Sequence, residues 1–287
     1  MKKQTLISAA LVAALAPAVS SAAEEAKSPY TLTGNIGLFS QYIFRGLTQT
    51  NREPAVQGGF DFSHQSGFYL GNWNSNISWL TDSKAYASSS IEMDFYGGYR
   101  NTFGLFGEDF SYDIGTLYYA YPGNITTAPP LNGQCCASAN TWEGYFSLGW
   151  KWITFKNSFS LMSNTFGTRN SAGTWYGDLS AAFPIADYGV TLIAHVGYQY
   201  YMGSSSVPAT AGFGTLSNNE LYSYGDWKIG ASYDLGKLAP WLNGTTIGGF
   251  YTDTWDANEA AYGARPTGPY PANIADGQFV AFLQKTF

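Results

Sequence analysis

Two-residue alternation of apolar and polar side chains recurs along most of this chain, and it restricts the fold more than any other feature. From Leu32 the even positions read Leu32, Gly34, Ile36, Leu38, Ser40, Tyr42 and Phe44, whereas the odd ones include Thr33, Asn35, Gln41 and Arg45. Ile91, Met93, Phe95, Gly97 and Tyr99 interleave with Glu92, Asp94, Tyr96, Gly98 and Arg100, and Trp227, Ile229, Ala231, Tyr233 and Leu235 with Asp226, Lys228, Gly230, Ser232 and Asp234. Successive side chains of a strand point to opposite faces, so each segment has one apolar face and one polar face that carries its charges. Beyond the N-terminal region no apolar run is long enough for a helix to span a bilayer.

The alternation predicts twelve strands, near residues 31–45, 54–64, 67–79, 91–100, 110–121, 141–150, 153–162, 174–183, 190–201, 225–235, 242–253 and 277–287. Links after the even-numbered segments are short, and most of those after the odd ones are long, as at 81–90, 122–140, 202–224 and 254–276. A sandwich or jelly roll does not predict that rhythm. An all-β, up-and-down antiparallel transmembrane barrel does, because its turns are short on one side and its loops long on the other.

Composition agrees. Of 287 residues 17% are aromatic, only 12% are charged and 33 are glycine. Charge at half the usual share disfavours an ordinary soluble enzyme or a disordered chain. The net charge of −6, with no basic stripe, argues against a nucleic-acid partner.

The N-terminus reads as a secretory signal: Lys2 and Lys3, an apolar run from Leu6 to Ala18, then small residues around Ser20-Ser21-Ala22. The expected organisation is a signal peptide at 1–22, cleaved at 22 or 23, a short periplasmic segment at 23–30, and a barrel at 31–287. A cleaved leader followed by a barrel predicts the Gram-negative outer membrane, with its lipid and lipopolysaccharide as surroundings. At the other end Phe279, Ala281 and Leu283 share a parity with Phe287, which the sequence expects to be an insertion signal read by the barrel-assembly machinery. Tyr69, Trp73, Trp79, Trp142, Trp150, Trp175, Tyr198 and Trp227 are expected on the outward rows as an aromatic girdle.

Inward parity assigns the lumen Arg45, Arg100, Lys156 and Lys228 as bases, and Asp61, Glu92, Asp94, Asp113, Glu143, Asp178, Asp226 and Asp234 as acids, with His195 on the same face. Twelve strands ~4.8 Å apart and tilted ~40° close at a backbone diameter of about 24 Å, which leaves a passage of ~5–12 Å. These residues are therefore the expected pore lining of a passive porin for ions and small polar solutes. The acidic surplus predicts a modest preference for cations, with Glu92, Asp94 and Asp113 as its centre. The alternative is a non-conducting barrel serving as a structural anchor or adhesin through its long loops. A homo-oligomer is compatible with either.

Signals for other chemistry are thin. Two histidines, His64 and His195, are too few for a zinc cluster, no G-x-S-x-G elbow is present, and Gly212-Phe213-Gly214 lacks a phosphate-loop continuation, so no catalytic residue, metal or cofactor is assigned. Cys135-Cys136 falls in a long loop, where adjacent cysteines allow a strained bridge, two thiols or bridges to another molecule.

Several stretches also resemble one family. TLTGNIGLFSQYIFRGLTQTNREPAVQGGFDFSHQSGFYLGNWNSN from Thr31 to Asn76, then IEMDFYGGYR, FSYDIGTLYYAYPG, HVGYQ, DWKIGASYDL and LQKTF, are similar to the TorF porins, formerly a group of unassigned function called Gcw_chp. The resemblance implies an outer-membrane channel and brings no catalytic residues with it. It is weakest over 122–140 and 202–224, so any specificity set by those loops does not carry over.

Overall fold

The computed structural model describes residues 28–126, 137–204, 216–264 and 270–287. The leader and Cys135-Cys136 lie outside these described residues. Twelve antiparallel strands close into one barrel: β1 (Tyr30–Phe39), β2 (Ala55–His64), β3 (Phe68–Asn76), β4 (Ile91–Leu105), β5 (Glu108–Ala120), β6 (Thr141–Trp150), β7 (Ile153–Ser160), β8 (Trp175–Ile185), β9 (Val190–Tyr200), β10 (Tyr224–Asp234), β11 (Thr245–Trp255) and β12 (Gln278–Thr286). Each strand pairs with its sequence neighbours, and β1 closes the ring on β12. None of the described helices is long and apolar enough to cross a membrane; the strands make the span. Closure leaves no sheet edge, so every strand's backbone finds its partners within the barrel.

The predicted alternation sets the two faces. Leu32, Ile36 and Leu38 on β1 and Phe60 on β2 are at least half exposed, as a lipid face requires. Glu92, Glu143, Gln199 and Asp226 are almost wholly enclosed on the other face. Short turns join β2 to β3, β4 to β5, β6 to β7, β8 to β9 and β10 to β11. The β4–β5 turn shows the local chemistry: Phe106 and Gly107 both have positive φ, at 53° and 76°, as a two-residue hairpin that follows the twist of its strands demands.

Six long connections share the opposite end: 40–54, 77–90, 121–140, 161–174, 201–223 and 256–277. They carry the short helices α1 (Trp79–Asp82), α2 (Asn218–Tyr222) and α3 (Glu259–Tyr262). Ser217 caps α2 by accepting from the Glu220 N–H, and Glu220 returns the bond to the Ser217 N–H. Those bonds hold the exposed Glu220 carboxyl below its usual range. Leu47, Tyr201, Leu221, Tyr224, Tyr262 and Ile274 form a common core beneath several of the loops.

Two expectations need correction. The first strand stops at Phe39 instead of running to Arg45; the alternation continues past it because 43–48 form a second, small hairpin. Tyr69, Trp73 and Trp79 are not girdle residues. Tyr69 is buried inside the barrel, Trp73 packs edge-on against Tyr42, and Trp79 lies in α1 against Tyr121. On β3 the other row is Phe68, Leu70, Asn72, Asn74 and Asn76, so neither row is uniformly apolar. Trp142, Trp150 and Trp227 do face outward.

Phe287 extends the last pairing, exchanging backbone hydrogen bonds of 2.8 and 2.9 Å with Gly34, and its ring covers the Gly34 backbone while remaining 68% exposed. Deleting Phe287, or replacing it with Asp, is expected to cut the yield of heat-modifiable barrel in membranes severely. Phe106→Ala, at an exposed turn tip, should leave the yield near wild type. Equal yields would remove Phe287 from any insertion role.

Candidate pore interior

The loop at 40–54 enters the barrel. Its tip is a hairpin, Ile43–Phe44 against Leu47–Thr48, turned by Arg45 and Gly46 with φ of 47° and 79°. Gly46 is required twice over: its φ is left-handed, and a Cβ there would sit 2.5 Å from the Asp226 Cβ on β10. The tip therefore crosses from the β1–β2 wall to the far side.

Arg45 holds it there. Its guanidinium donates to both Glu143 carboxylate oxygens on β6 at 3.0 and 2.7 Å and to Gln199 Oε1 on β9 at 2.6 Å. It also lies over the rings of Tyr176, Phe44 and Phe166 at 4.4, 4.8 and 5.6 Å. Tyr119 donates to Glu143 Oε2 at 3.1 Å. The Arg45 and Glu143 side chains keep only 7% and 2% of their exposure, so the pair is a buried ion pair rather than a wet lining contact, with Nη2 on Glu143 and Nη1 on Gln199. Arg45 was expected on a strand; it reaches the interior from a loop instead.

A second cluster joins β8, β9 and β10. The two ring nitrogens of His195 lie 2.6 Å from Asp178 Oδ2 and 2.7 Å from Asp226 Oδ2. Donating to two carboxylates takes both ring N–H groups, and hence the imidazolium form. Tyr176 donates to Asp226 Oδ1 at 2.8 Å and Ser180 to Asp178 Oδ1 at 2.6 Å. Lys156 stands opposite Asp178 in the β7–β8 register, and Lys228 opposite His195 in the β9–β10 register. Each lysine also lies over an aromatic ring, Lys156 over Tyr145 at 4.0 Å and Lys228 over Phe250 at 5.1 Å.

The expected acidic centre divides. Asp113 stands opposite Arg100 in the β4–β5 register and accepts from Tyr69 at 2.6 Å, whereas Asp94 stands opposite Tyr119. From Asp113 to Tyr119 is six residues along β5, about 20 Å, so Asp113 belongs to the short-turn end and Glu92 and Asp94 to the loop end. Asp234 leaves the interior: it is exposed, and its carboxylate caps the next turn through the Gly236 N–H at 2.8 Å. Arg100, exposed near the same rim, donates to Ser63 Oγ at 2.7 Å and lies over Tyr69.

Charge is therefore balanced on one side of the barrel and not on the other. Glu143, Asp178 and Asp226 are interleaved with Arg45, Lys156, His195 and Lys228, while Asp61, Glu92 and Asp94 on β2 and β4 have no ion-pair partner among the described residues. Asp61 is bonded by Tyr96 at 2.6 Å and Glu92 by Tyr42 at 2.7 Å. The interior tyrosines escaped the sequence reading. Tyr96, Tyr145 and Tyr176 each lie across a glycine of a neighbouring strand, Gly71, Gly115 and Gly197, where a Cβ would come within 2.6 Å of the ring or hydroxyl. Only the register shows that pairing.

No three or more His, Cys, Asp or Glu side chains among the described residues converge as a metal site. The described turn at the base of β2 holds His64, bonded to Ser66.

Comparison with known proteins follows the fold. The KdgM porin aligns over 89% of this chain and 99% of its own at 7% identity and a TM-score of 0.48. OccAB4 of Acinetobacter baumannii aligns over 86% of this chain and 56% of its own at 11% identity and a TM-score of 0.38. OprD of Pseudomonas aeruginosa aligns over 89% and 65% at 11% identity and a TM-score of 0.36. No curated protein matches the chain. The profile described as "Bacterial protein of unknown function (Gcw_chp)" matches residues 23–287, and the chain belongs to that family.

Proposed function

We propose that this chain is a passive outer-membrane porin for ions and small polar solutes, modestly preferring cations, with the hairpin at Arg45 as its constriction. The carrying observation is the interior itself. A barrel that needed only to be filled would be filled most stably by apolar side chains, since buried ion pairs barely offset the cost of their own desolvation. Here the interior holds Arg45, Lys156, Lys228, His195 and at least six carboxylates. Their surplus, Asp61, Glu92 and Asp94, is negative and lies on one wall. Within a lumen narrower than about two Debye lengths such charge is incompletely screened and enriches cations. A transmembrane barrel with a lipid-facing outer surface belongs in the Gram-negative outer membrane, which fits the porin identity that the TorF resemblance implies.

The test is the reversal potential across a planar bilayer in a potassium chloride gradient. Cation selectivity is expected, weakening at high salt and falling when Asp61, Glu92 and Asp94 are changed together to their amides. Anion selectivity, or indifference to the triple change, contradicts the charge assignment. One observation favours the second reading, a barrel that displays its loops without conducting: the loops pack onto a buried tyrosine-rich core.

A further inference from the structure

The interior bases share one setting. Arg45, Lys156 and Lys228 each combine an aromatic ring within 5.1 Å with a facing or neighbouring carboxylate. The loop end of β4 has the same rings and carboxylates without a basic side chain of its own. Glu92 is 1% exposed and Asp94 7% exposed. Two residues apart on one face, they stand opposite Ser75 and Trp73 in the β3 register, and Asp94 faces Tyr119 in the β5 register. Tyr42 joins them from the hairpin loop, its hydroxyl on Glu92 Oε1 at 2.7 Å and its ring 5.4 Å from that of Trp73. Among the described residues no Lys, Arg or His nitrogen comes within 4.0 Å of either carboxylate.

A second observation points the same way. Asp94 Oδ1 is enclosed and has no hydrogen-bond partner among the described residues, and Asp61 Oδ2, on the same wall, is in the same condition. A buried carboxylate oxygen without a donor costs several kcal/mol unless something supplies one. Tyr42 satisfies part of Glu92, and among the described residues nothing donates to Asp94 Oδ1.

We infer that Glu92 and Asp94, walled by Trp73, Tyr42 and Tyr119, bind the ammonium group of a small solute. The donor set selects that class. Two carboxylates match a head with three N–H donors, and rings beside them add attraction to an organic cation. A calcium ion takes six to eight oxygens, and this wall supplies too few carboxylates to build such a shell. Anions are repelled by the two carboxylates.

This inference rests on the cation-preferring reading of the lumen, and its test is separate from conduction. Purified, heat-modifiable barrel in detergent is titrated with n-propylammonium chloride by calorimetry, at constant ionic strength set with potassium chloride. Saturable binding at one site is expected, weakened at least tenfold by Asp94→Asn and by Glu92→Gln, and unchanged by Asp113→Asn at the short-turn end. Heat modifiability of each variant shows that the barrel has formed, and Glu92→Asp, which keeps the charge, should retain part of the affinity. Absence of saturable binding to the wild type overturns the site, as does binding indifferent to Asp94→Asn. Calcium chloride competing at equal concentration would reassign the site to a metal and also overturn it. A barrel that binds propylammonium without conducting leaves the site standing and removes only the porin reading.

Discussion

Arg45→Ala should produce a barrel whose conductance is several-fold that of the wild type, and one that unfolds more easily. Both effects come from the same bonds. The Arg45 guanidinium is the polar anchor of the hairpin tip on the far wall, through Glu143 and Gln199. Its removal frees the tip to leave the lumen and strands a carboxylate that is 2% exposed. Loss of one partner from a buried pair costs about 3–5 kcal/mol, read here as a lower temperature for loss of heat modifiability. Arg45→Lys keeps the charge but has one nitrogen where the guanidinium uses two, one on Glu143 and one on Gln199, so it should lie between alanine and wild type. If Arg45→Ala conducts as the wild type does, the hairpin is not the constriction.

The second large effect lies in the glycine and tyrosine pairs. Gly197 on β9 stands between Asp178 and Asp226 in the two registers, and the Tyr176 hydroxyl passes 2.2 Å from where its Cβ would be. Gly197→Val should expel that hydroxyl from its place between His195 and Asp226. The loss combines overpacking with a broken charge-assisted bond, about 3 kcal/mol. Gly104→Val is the matched control: it lies on β4 with nothing within 4 Å of the added carbon and should be close to neutral. Urea unfolding of both variants in lipid vesicles measures the difference. Equal stability would mean that the tyrosine relaxes freely and that the His195 cluster does not depend on it.

How much of this was legible in the sequence varied with the element. β4 and β10 were readable because each puts its charges on one row and large apolar side chains on the other, and β1 because Thr31, Thr33 and Asn35 alternate with Leu32, Ile36 and Leu38, a separation that lipid on one side enforces. β3 was not. Its rows are Tyr69, Gly71, Trp73, Ser75 against Phe68, Leu70, Asn72, Asn74, and placing the aromatics outward put Tyr69 and Trp73 on the wrong face. The paired asparagines of the outer row are satisfied locally, Asn72 on the Asp94 carbonyl and Asn74 on the Asn72 side chain, which is how they remain there.

The interior was legible by parity but not by depth. Parity put Glu92, Asp94 and Asp113 on one face; only the pairing of Arg100 with Asp113 and Asp94 with Tyr119 shows that they occupy different levels. Arg45 illustrates the opposite limit. Its alternation with Phe44 imitates the end of a strand, and the feature that marks it as a turn, Arg-Gly with two positive φ values, is weak in sequence because arginine seldom takes that conformation. The tyrosines that fill the lumen depend on glycines one strand away, a relation between segments that alternation within a segment does not encode.

The central claim is that this charged interior is a path for solutes rather than a filled core, and single-channel recording of the purified wild-type barrel in a planar lipid bilayer addresses it most directly. Discrete conductance steps are expected, small in the wild type because the Arg45 hairpin crosses the lumen and larger in Arg45→Ala. A fully folded, heat-modifiable barrel that inserts yet shows no steps, in the wild type or in Arg45→Ala, would contradict the claim and leave a barrel that only displays its loops.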